Sequence, residues 1–361
     1  MTINPGNASD DSYARITLSG PDCPFLAEGW CGIQKNLGEE YLSIMCSQYP
    51  RVMNIVDDVL QRSLDLSCPE AARVTLLDPG PMQFDEEEGP PRDPRHGHLS
   101  VLRTSDDKSG KPYQYFRDIR ACVIWLLQYR PYPLWKRLMI LGSLCDQLQA
   151  TSQSKIPGML DAYRNGVVRD QFTAALANHS PQPAKQLELV IEIILGRIRS
   201  DFTGPRLLAC YKKFMESMNW TADLSMEGLG GRYTEAHSQY YAPFMDRHPH
   251  ILEHYLVHYV HRTLFPLGPQ ESTRGLSVQH AAQTIRDQCL LMMVHYAILQ
   301  MLLIGMAAFH KERFGMDEVI QVVQSYTKAF EHSISFPERA LKVLAAKGVT
   351  NCTMFALLLR V

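Results

Sequence analysis

The feature that most constrains this chain is an uncharged apolar run that extends from Leu290 to Phe309. Its 20 residues are enough for a helix to cross a bilayer. However, His295 and Gln300 interrupt the run, the chain has no second run of this kind, and the polar residues 283–288 lead directly into it. A helix that is apolar on all sides also suits the centre of a helical protein. We therefore predict a buried central helix and no membrane span.

The overall composition is that of a globular protein. The chain has 361 residues, of which 45% are hydrophobic and 20% are charged, and it is long enough for two compact units. Its 36 Lys and Arg residues nearly balance 38 Asp and Glu residues, which gives a formal net charge of −2. Because there is no overall basic field to hold a phosphate backbone, we expect no nucleic-acid partner.

Proline and glycine are concentrated at residues 79–112, where the acidic run from Asp85 to Glu88 also lies. Residues of this kind break helices and strands. The shift in composition predicts three parts: a cysteine-rich module at 1–78, a linker at 79–112 and an all-helical domain at 113–361. Within the first part, the residue pattern predicts a short strand at 13–18 and short helices at 37–48 and 55–64.

The part that follows the linker has apolar residues at three- and four-residue spacing, which is typical of helices. We predict helices at 116–129, 134–150, 156–178, 184–200, 205–219, 233–246, 248–264, 276–312, 316–333 and 337–346. The alternation of strands, glycine turns and helices that a Rossmann fold requires is absent from the sequence. The predicted fold class is therefore mainly α, with a helical body behind a small cysteine-rich N-terminal module.

Four of the nine cysteines lie within the first 70 residues, at Cys23, Cys31, Cys46 and Cys68. The N-terminus has no secretory signal, so we expect a cytoplasmic protein, in which clustered cysteines favour metal or redox chemistry over disulfides. Zinc sites usually contain ligand pairs two to four residues apart, and this set has none. From spacing alone, a metal site and four ordinary thiols both remain open.

The other five cysteines lie in apolar helical surroundings, where a free thiol usually acts as a small buried hydrophobe. They are Cys122, Cys145, Cys210, Cys289 and Cys352. We interpret them as packing residues.

Six of the 13 histidines fall between residues 237 and 261. His250, His254 and His258 are four residues apart, so they share one helix face and two of them could hold a metal. Glu253 does not lie on that face, and no other nearby carboxylate completes a familiar ligand pattern. We interpret the histidines as a polar, partly exposed stripe on a helix. Gly228, Gly230 and Gly231 follow a helical stretch, and we interpret them as a turn.

Several short runs near the N-terminus strongly resemble the flagellin lysine-N-methylase family. These runs are Tyr13-Ala14-Arg15-Ile16, Cys23-Pro24-Phe25-Leu26, Cys31-Gly32-Ile33-Gln34, Leu37-Gly38-Glu39-Glu40-Tyr41-Leu42-Ser43, Cys46-Ser47-Gln48-Tyr49-Pro50-Arg51 and Ser67-Cys68-Pro69-Glu70-Ala71-Ala72-Arg73. Further along, Glu253-His254-Tyr255-Leu256-Val257 and Leu264-Phe265-Pro266 look like the same family's helical signature. The similarity is dense over residues 13–78 and sparser, though in order, over the rest.

The resemblance implies an enzyme that transfers methyl groups from S-adenosylmethionine to lysine side chains of flagellin. The family is associated with an iron–sulfur cluster, of the 4Fe-4S type, that cysteines ligate. Cys23, Cys31, Cys46 and Cys68 match the family's cysteines and are therefore the expected ligands of this metal-binding module. The resemblance identifies no catalytic or S-adenosylmethionine-binding residue.

The chain departs from the family at one point. Family members usually have a further cysteine-rich stretch ahead of the position of Tyr13, whereas the first cysteine of this sequence is Cys23. Two alternatives to the methyltransferase follow from this difference. One is a non-catalytic, metal-binding helical protein, a degenerate member of the family. The other is an adaptor that binds flagellin without modifying it.

Overall fold

The computed structural model describes residues 2–3, 14–15, 23–89, 99–105, 110–176, 180–200, 204–221, 223–272 and 284–361. The chain divides into two compact units, at the boundary between Tyr49 and Pro50. The described residues up to 49 belong to the first unit, and those from 50 onward belong to the second. The strands and helix between residues 50 and 78 therefore lie with the helical body. The three-part division at residues 78 and 112 stays a prediction.

The described residues of the first unit form short elements. Strands β1 (Thr2–Ile3) and β2 (Ala14–Arg15) pair antiparallel, as do β3 (Leu26–Ala27) and β4 (Trp30–Cys31). Helices α1 (Gly32–Asn36) and α2 (Ile44–Gln48) follow. Within 23–49 no residue is buried. Of the strand predicted at 13–18, Ala14–Arg15 is present and the rest lies outside the described residues.

The second unit contains a sheet that the helical interpretation missed. Strands β5 (Arg51–Val56) and β6 (Val59–Leu64) form an antiparallel hairpin. β5 also pairs parallel with β7 (Ser100–Leu102), which pairs antiparallel with β8 (Glu271–Ser272), so that the order is β6-β5-β7-β8.

The helix predicted at 55–64 is therefore wrong. The hairpin turns at Asp57, whose φ is +54°, and a residue in this left-handed region interrupts a helix. Val59–Leu64 pairs with the neighbouring β5, and Ile55 and Val56 of β5 also pair with β7 from a distant part of the chain. Such pairing decides between helix and strand where local preference is weak.

Helices form most of the second unit, so the protein is mainly α, as predicted. Their bounds are α3 (Pro69–Leu76), α4 (Phe116–Leu127), α5 (Leu134–Ala150), α6 (Ile156–Val168), α7 (Gln171–Leu176), α8 (Pro183–Ser200), α9 (Pro205–Ser217), α10 (Met226–Ala236), α11 (Ala242–Met245), α12 (His250–Arg262), α13 (Ile285–His310), α14 (Met316–Tyr326), α15 (Phe336–Ala346) and α16 (Cys352–Leu357). A π-helical turn, His237–Tyr241, joins α10 to α11, and a second one, Thr327–Glu331, extends α14.

Helix α13 lies at the centre of the second unit and contains the uncharged run from Leu290 to Phe309. Thr284 and Asp287 form a capping box at its start, which satisfies two backbone N–H groups that a helix end leaves open. Residues 288–307 of this helix are all buried. At Gly305 a β-carbon would lie 2.6 Å from the ring of Phe214, so the missing side chain lets α9 pack closely. Of the described residues, this is the one segment long and apolar enough to span a membrane, and it is buried within the protein.

Candidate functional site

Helix α12 is buried on nearly every side, so the interpretation of its histidines as a partly exposed stripe is wrong. His250, His254 and His258 are all buried. The ring nitrogens of His254 lie 3.1 and 2.8 Å from the carbonyl oxygens of Thr75 and Gly80, and Nε2 of His258 lies 2.7 Å from the carbonyl oxygen of Leu64. These histidines therefore attach the segment 64–80 to the helical body. The interpretation fails because the β5–β6 hairpin and α3 pack against the histidine face of α12, which the sequence pattern indicated to be partly exposed.

Glu253, on the same helix, forms the first of two buried ion-pair groups. Its carboxylate is fully buried and accepts hydrogen bonds from Arg130 Nη2 at 2.9 Å and from Arg137 Nη1 at 2.7 Å. Burial lowers the pKa of Arg137 even though Glu253 opposes the effect. Arg130 also donates to the carbonyl oxygen of Pro79. This group joins α12 to α5 and to the segment after α3.

The second group lies at a cavity of about 300 Å³ in the second unit. The volume is at the lower end of the range for small-molecule sites, about 300–1,000 Å³. Residues from the sheet, from the C-terminal end of α12, from α13 and from the turn after α14 line the cavity; they are Val52, Asn54, Ser100, Tyr259, Arg262, Thr263, Pro269, Gln288, Leu291, His295, Phe330, Glu331, Phe336 and Pro337. Of these described residues, Arg262 and Glu331 are the charged ones.

Arg262 and Glu331 form a buried ion pair in the wall of this cavity. Arg262 Nη2 donates to Glu331 Oε2, and the hydroxyl of Tyr255 donates to Glu331 Oε1 at 2.6 Å. Burial alone would raise the pKa of Glu331, but the positive charge of Arg262 and the hydrogen bond from Tyr255 lower it below its usual range. Arg262 Nε is buried and has no hydrogen-bond partner among the described residues. The pair is therefore ionised, and the Nε–H group of Arg262 remains available as a hydrogen-bond donor.

Aromatic rings form the other side of the cavity. The ring centroid of His295 lies 5.2 Å from that of Tyr259 and 5.5 Å from that of Phe336. Phe336 in turn meets Phe330 edge to face, with centroids 4.9 Å apart. His295 Nδ1 lies 2.5 Å from the hydroxyl oxygen of Tyr326. Burial lowers the pKa of His295 to about 4, so the imidazole is neutral at neutral pH.

Three elements fix these side chains. The π-helical turn Thr327–Glu331 ends at Glu331 and adds a residue to the regular helix, a feature often found at functional sites. Asn54 of β5 donates to the backbone carbonyl of Arg262 at 2.8 Å, which ties the sheet to the end of α12. Leu264, with a φ of +56°, turns the chain away from α12 directly after the cavity.

Sequence reasoning missed the cavity residues. Arg262 and Glu331 are separated by 69 positions, and no motif connects them.

The structure does not bring the four candidate cluster ligands into a metal site. Cys23, Cys31 and Cys46 belong to the first unit and Cys68 to the second. Cys23 and Cys46 are exposed, and Cys31 and Cys68 are partly exposed. Among the residues described, no three His, Cys, Asp or Glu side chains form a group that could hold a metal ion. A metal-binding N-terminal module is therefore not supported, and the role of the four cysteines stays a prediction.

The remaining five cysteines are all buried, but three of them are not isolated. Cys289 of α13 lies within hydrogen-bonding reach of Cys145 of α5 and of Cys352 at the start of α16, and burial raises the pKa of its thiol well above the usual value. The three thiols meet where α5, α13 and α16 pack together. The raised pKa of Cys289 and of Cys352 makes these two thiols poor nucleophiles.

The glycines at 228, 230 and 231 are not in a turn, because all three lie inside α10. At Gly230 a β-carbon would come within 3.0 Å of the backbone nitrogen of Ala184, so this glycine allows α8 to approach. The prediction of a turn overlooked this helix–helix contact.

Comparison with known proteins places the chain in a family. The family model described as the FliB lysine N-methylase C-terminal domain matches residues 120–358. Over 67 residues the chain is 39% identical to proteins named lysine-N-methylase from Salmonella typhimurium and Salmonella choleraesuis, and to the flagellar biosynthetic protein FliU of Salmonella muenchen.

These alignments are short. They cover 18% of this chain, 17% of each lysine-N-methylase and 40% of FliU. No solved structure matches the chain. The family model, however, spans most of the helical body and includes α12, α13 and the turn that ends at Glu331. The chain therefore belongs to the FliB lysine N-methylase family.

Proposed function

We propose that this protein transfers methyl groups from S-adenosylmethionine to lysine side chains of flagellin, in the cytoplasm. Membership of the FliB family supports lysine methylation, since the matched family and two relatives carry lysine N-methylase in their names. The name of FliU, a flagellar biosynthetic protein, supports flagellin as the substrate.

The observation that carries the proposal is the cavity beside Arg262 and Glu331, within the region that the family model matches. It combines a buried ion pair with aromatic walls, and such a mixture of apolar lining and few polar groups is typical of small-molecule sites. The family model matches through residue 358, so the cavity residues from Arg262 to Pro337 belong to the family's own domain.

Methyl transfer requires mainly that the protein position the lysine amine and the methyl donor. A bond forms between the lysine Nζ and the methyl carbon, the bond from that carbon to the sulfonium sulfur breaks, and S-adenosylhomocysteine leaves. The amine must lose a proton first, because only the neutral form has a free electron pair. Holding the two groups in line accounts for much of the rate gain in such transfers. The aromatic side of the cavity also favours the neutral amine.

That proton leaves to water before the transfer. His295 does not hold it, because burial lowers the pKa of its imidazole to about 4 and its Nδ1 lies 2.5 Å from the hydroxyl oxygen of Tyr326. Glu331 does not hold it either, because the positive charge of Arg262 keeps the pKa of this carboxyl below its usual range.

The experiment is a methyl-transfer assay on purified protein, with labelled S-adenosylmethionine and flagellin, and with mass spectrometry to locate the label. We expect label on flagellin lysines and none on flagellin whose lysines have been acetylated beforehand. Binding of flagellin without transfer of label would contradict the proposal and favour the adaptor. A surface variant, Glu338→Gln, is the matched control and should transfer label at the rate of the unchanged protein.

A further inference from the structure

We infer that the cavity binds the amino-acid part of the methyl donor at Arg262 and Glu331, and its adenosine and sulfonium part against Tyr259, His295, Phe330 and Phe336. This inference rests on the proposed function and adds to it the position and direction of one substrate. Neither the family match nor the resemblance assigns such a site.

The first argument is the unused donor of Arg262. Its Nη2 is bonded to Glu331, whereas its buried Nε has no partner among the described residues. An unsatisfied buried donor destabilises the protein, and more so when it is charged, so a ligand that supplies an acceptor here is stabilised by this hydrogen bond. The guanidinium is suited to a carboxylate in particular, because its N–H groups form a planar fork.

The second argument is the balance of charge. The described lining residues contain one guanidinium and one carboxylate, side by side, and no lysine. A free α-amino acid end carries both signs on adjacent atoms and matches such a pair. A nucleoside polyphosphate does not match it, since it would add several negative charges to a wall whose net charge is zero. A lysine residue within a polypeptide lacks a free carboxylate and does not match either.

The third argument is that the aromatic side of the cavity lies close to the ion pair. His295 connects the two ends, because its ring lies 5.2 Å from Tyr259 and 5.5 Å from Phe336, while Tyr259 is on the same helix as Arg262. Flat aromatic faces suit a purine ring. They also attract a cation that lies within about 6 Å of a ring centroid, as a sulfonium would.

The orientation of His295 adds a specific donor. The single proton of the Tyr326 hydroxyl has no acceptor among the described residues other than His295 Nδ1. The neutral ring then carries its own proton on Nε2. His295 therefore offers an N–H group to an acceptor nitrogen of the purine.

The test compares two ligands by isothermal titration calorimetry. S-adenosylhomocysteine has both parts, whereas 5′-methylthioadenosine has the adenosine and sulfur but lacks the amino-acid end. Arg262→Lys keeps the charge opposite Glu331 and removes the fork. We expect this variant to weaken binding of S-adenosylhomocysteine on the order of 10- to 100-fold and to leave 5′-methylthioadenosine unchanged.

A second variant addresses the aromatic end. Phe336→Leu should weaken both ligands by a similar factor, because both present the adenosine to this wall. Circular dichroism and the melting temperature establish that each variant is folded.

The outcomes separate this inference from the proposed function. If S-adenosylhomocysteine binds and neither variant changes its affinity, the site lies elsewhere and the inference is overturned while the function stands. Equal weakening of both ligands by Arg262→Lys overturns the orientation. If neither S-adenosylmethionine nor S-adenosylhomocysteine binds the unchanged protein at millimolar concentration, the inference and the proposed function both fail.

Discussion

The guanidinium of Arg262 and the carboxylate of Glu331 form an ion pair in the wall of the cavity, and each comes from the end of a different helical segment. Arg262 is the last residue of α12, and Glu331 is the last residue of the π-helical turn after α14. Their side chains are 15% and 3% exposed. The ion pair thus connects the end of α12 to the π-helical turn after α14, in the wall of the cavity proposed to bind a ligand.

Removal of the carboxylate should leave a buried cation without its partner. We expect Glu331→Gln to lower the free energy of unfolding by about 3–5 kcal/mol, the usual cost of breaking a buried ion pair from one side. Urea unfolding followed by circular dichroism measures the effect. Glu338→Gln is the matched control, because Glu338 forms an exposed pair with Lys342; its unfolding curve should overlay that of the unchanged protein. Equal stability of the two variants would show that the Arg262–Glu331 pair is not the buried contact described.

Two glycines provide a test of helix packing. At Gly305 of α13 a β-carbon would lie 2.6 Å from Phe214, whereas at Gly231 of α10 nothing lies within 4 Å. We expect Gly305→Ala to destabilise the protein by about 1–3 kcal/mol through overpacking. Gly231→Ala should instead stabilise it by about 0.5–1 kcal/mol, because alanine is the better helix former. Thermal or urea unfolding of both variants gives the comparison. If both substitutions change the free energy of unfolding in the same direction, α9 does not approach α13 as closely as described.

The sequence predicted most of the helical body because the signals for it are local. The uncharged run fixes α13 through its length and composition alone, and the breaks at Gly204-Pro205 and Gly315 lie within a few residues of the helix ends they cause. Most of the helices therefore agree with their predicted bounds to within a few residues. The short α16 was missed, because it has too few residues to show a period.

The sheet and the cavity could not be predicted in the same way. β5 becomes a strand because Ile55 pairs with Val101, and Val101 pairs with Glu271 of β8. These partners are distant in the sequence, so the local pattern of residues 51–64, which contains only the β5–β6 pairing, does not predict the four-stranded sheet. The cavity likewise depends on the tertiary packing that brings Arg262 to Glu331. Its histidine, His295, was visible in the sequence only as an interruption of an apolar run.

Buried neutral histidines should make the protein sensitive to acid. Burial lowers the pKa of His258, His261 and His295 to about 4, from an ordinary value of 6.5. The unfolded chain therefore binds more protons than the folded one between pH 6.5 and about 4, and stability falls as the pH falls through this window. Urea midpoints measured at intervals from pH 7.5 to 4.5 should decrease steadily.

A single variant identifies one contributor to this slope. His258→Gln keeps an N–H donor for the carbonyl oxygen of Leu64 but does not titrate, so the decrease in midpoint should become shallower. His332→Gln is the contrasting variant. Its hydrogen bond to Asp65 raises the pKa of His332, so this histidine stabilises the fold at low pH and loses that effect as the pH rises. In His332→Gln the urea midpoint should therefore decrease more steeply as the pH falls. An unchanged slope in His258→Gln would mean that this histidine is not buried in its neutral form.

Alkylation should divide the cysteines into two classes. Cys23 and Cys46 are exposed, whereas Cys145, Cys289 and Cys352 are buried together. In metal-free native protein, iodoacetamide should modify Cys23 and Cys46 within minutes and the three buried thiols only after denaturation, because burial raises the pKa of Cys289 and limits access. Mass spectrometry of timed samples measures the rate at each site. Rapid native labelling of Cys289 would contradict the packing of α5, α13 and α16.

The same measurement tests the cluster that the family resemblance implies. If Cys23, Cys31, Cys46 and Cys68 ligate iron, protein purified without oxygen should contain iron, show a broad absorbance near 400 nm and resist alkylation at all four positions. Cys46→Ala should then lose iron, while Cys210→Ala, a buried thiol outside the set, should retain it. Protein that stays free of iron after reconstitution, with Cys46 alkylated as fast as in the apo form, would exclude these cysteines as ligands. In that case the methyl transfer proposed for the cavity would depend on the helical body alone, because the cavity residues all lie in the second unit.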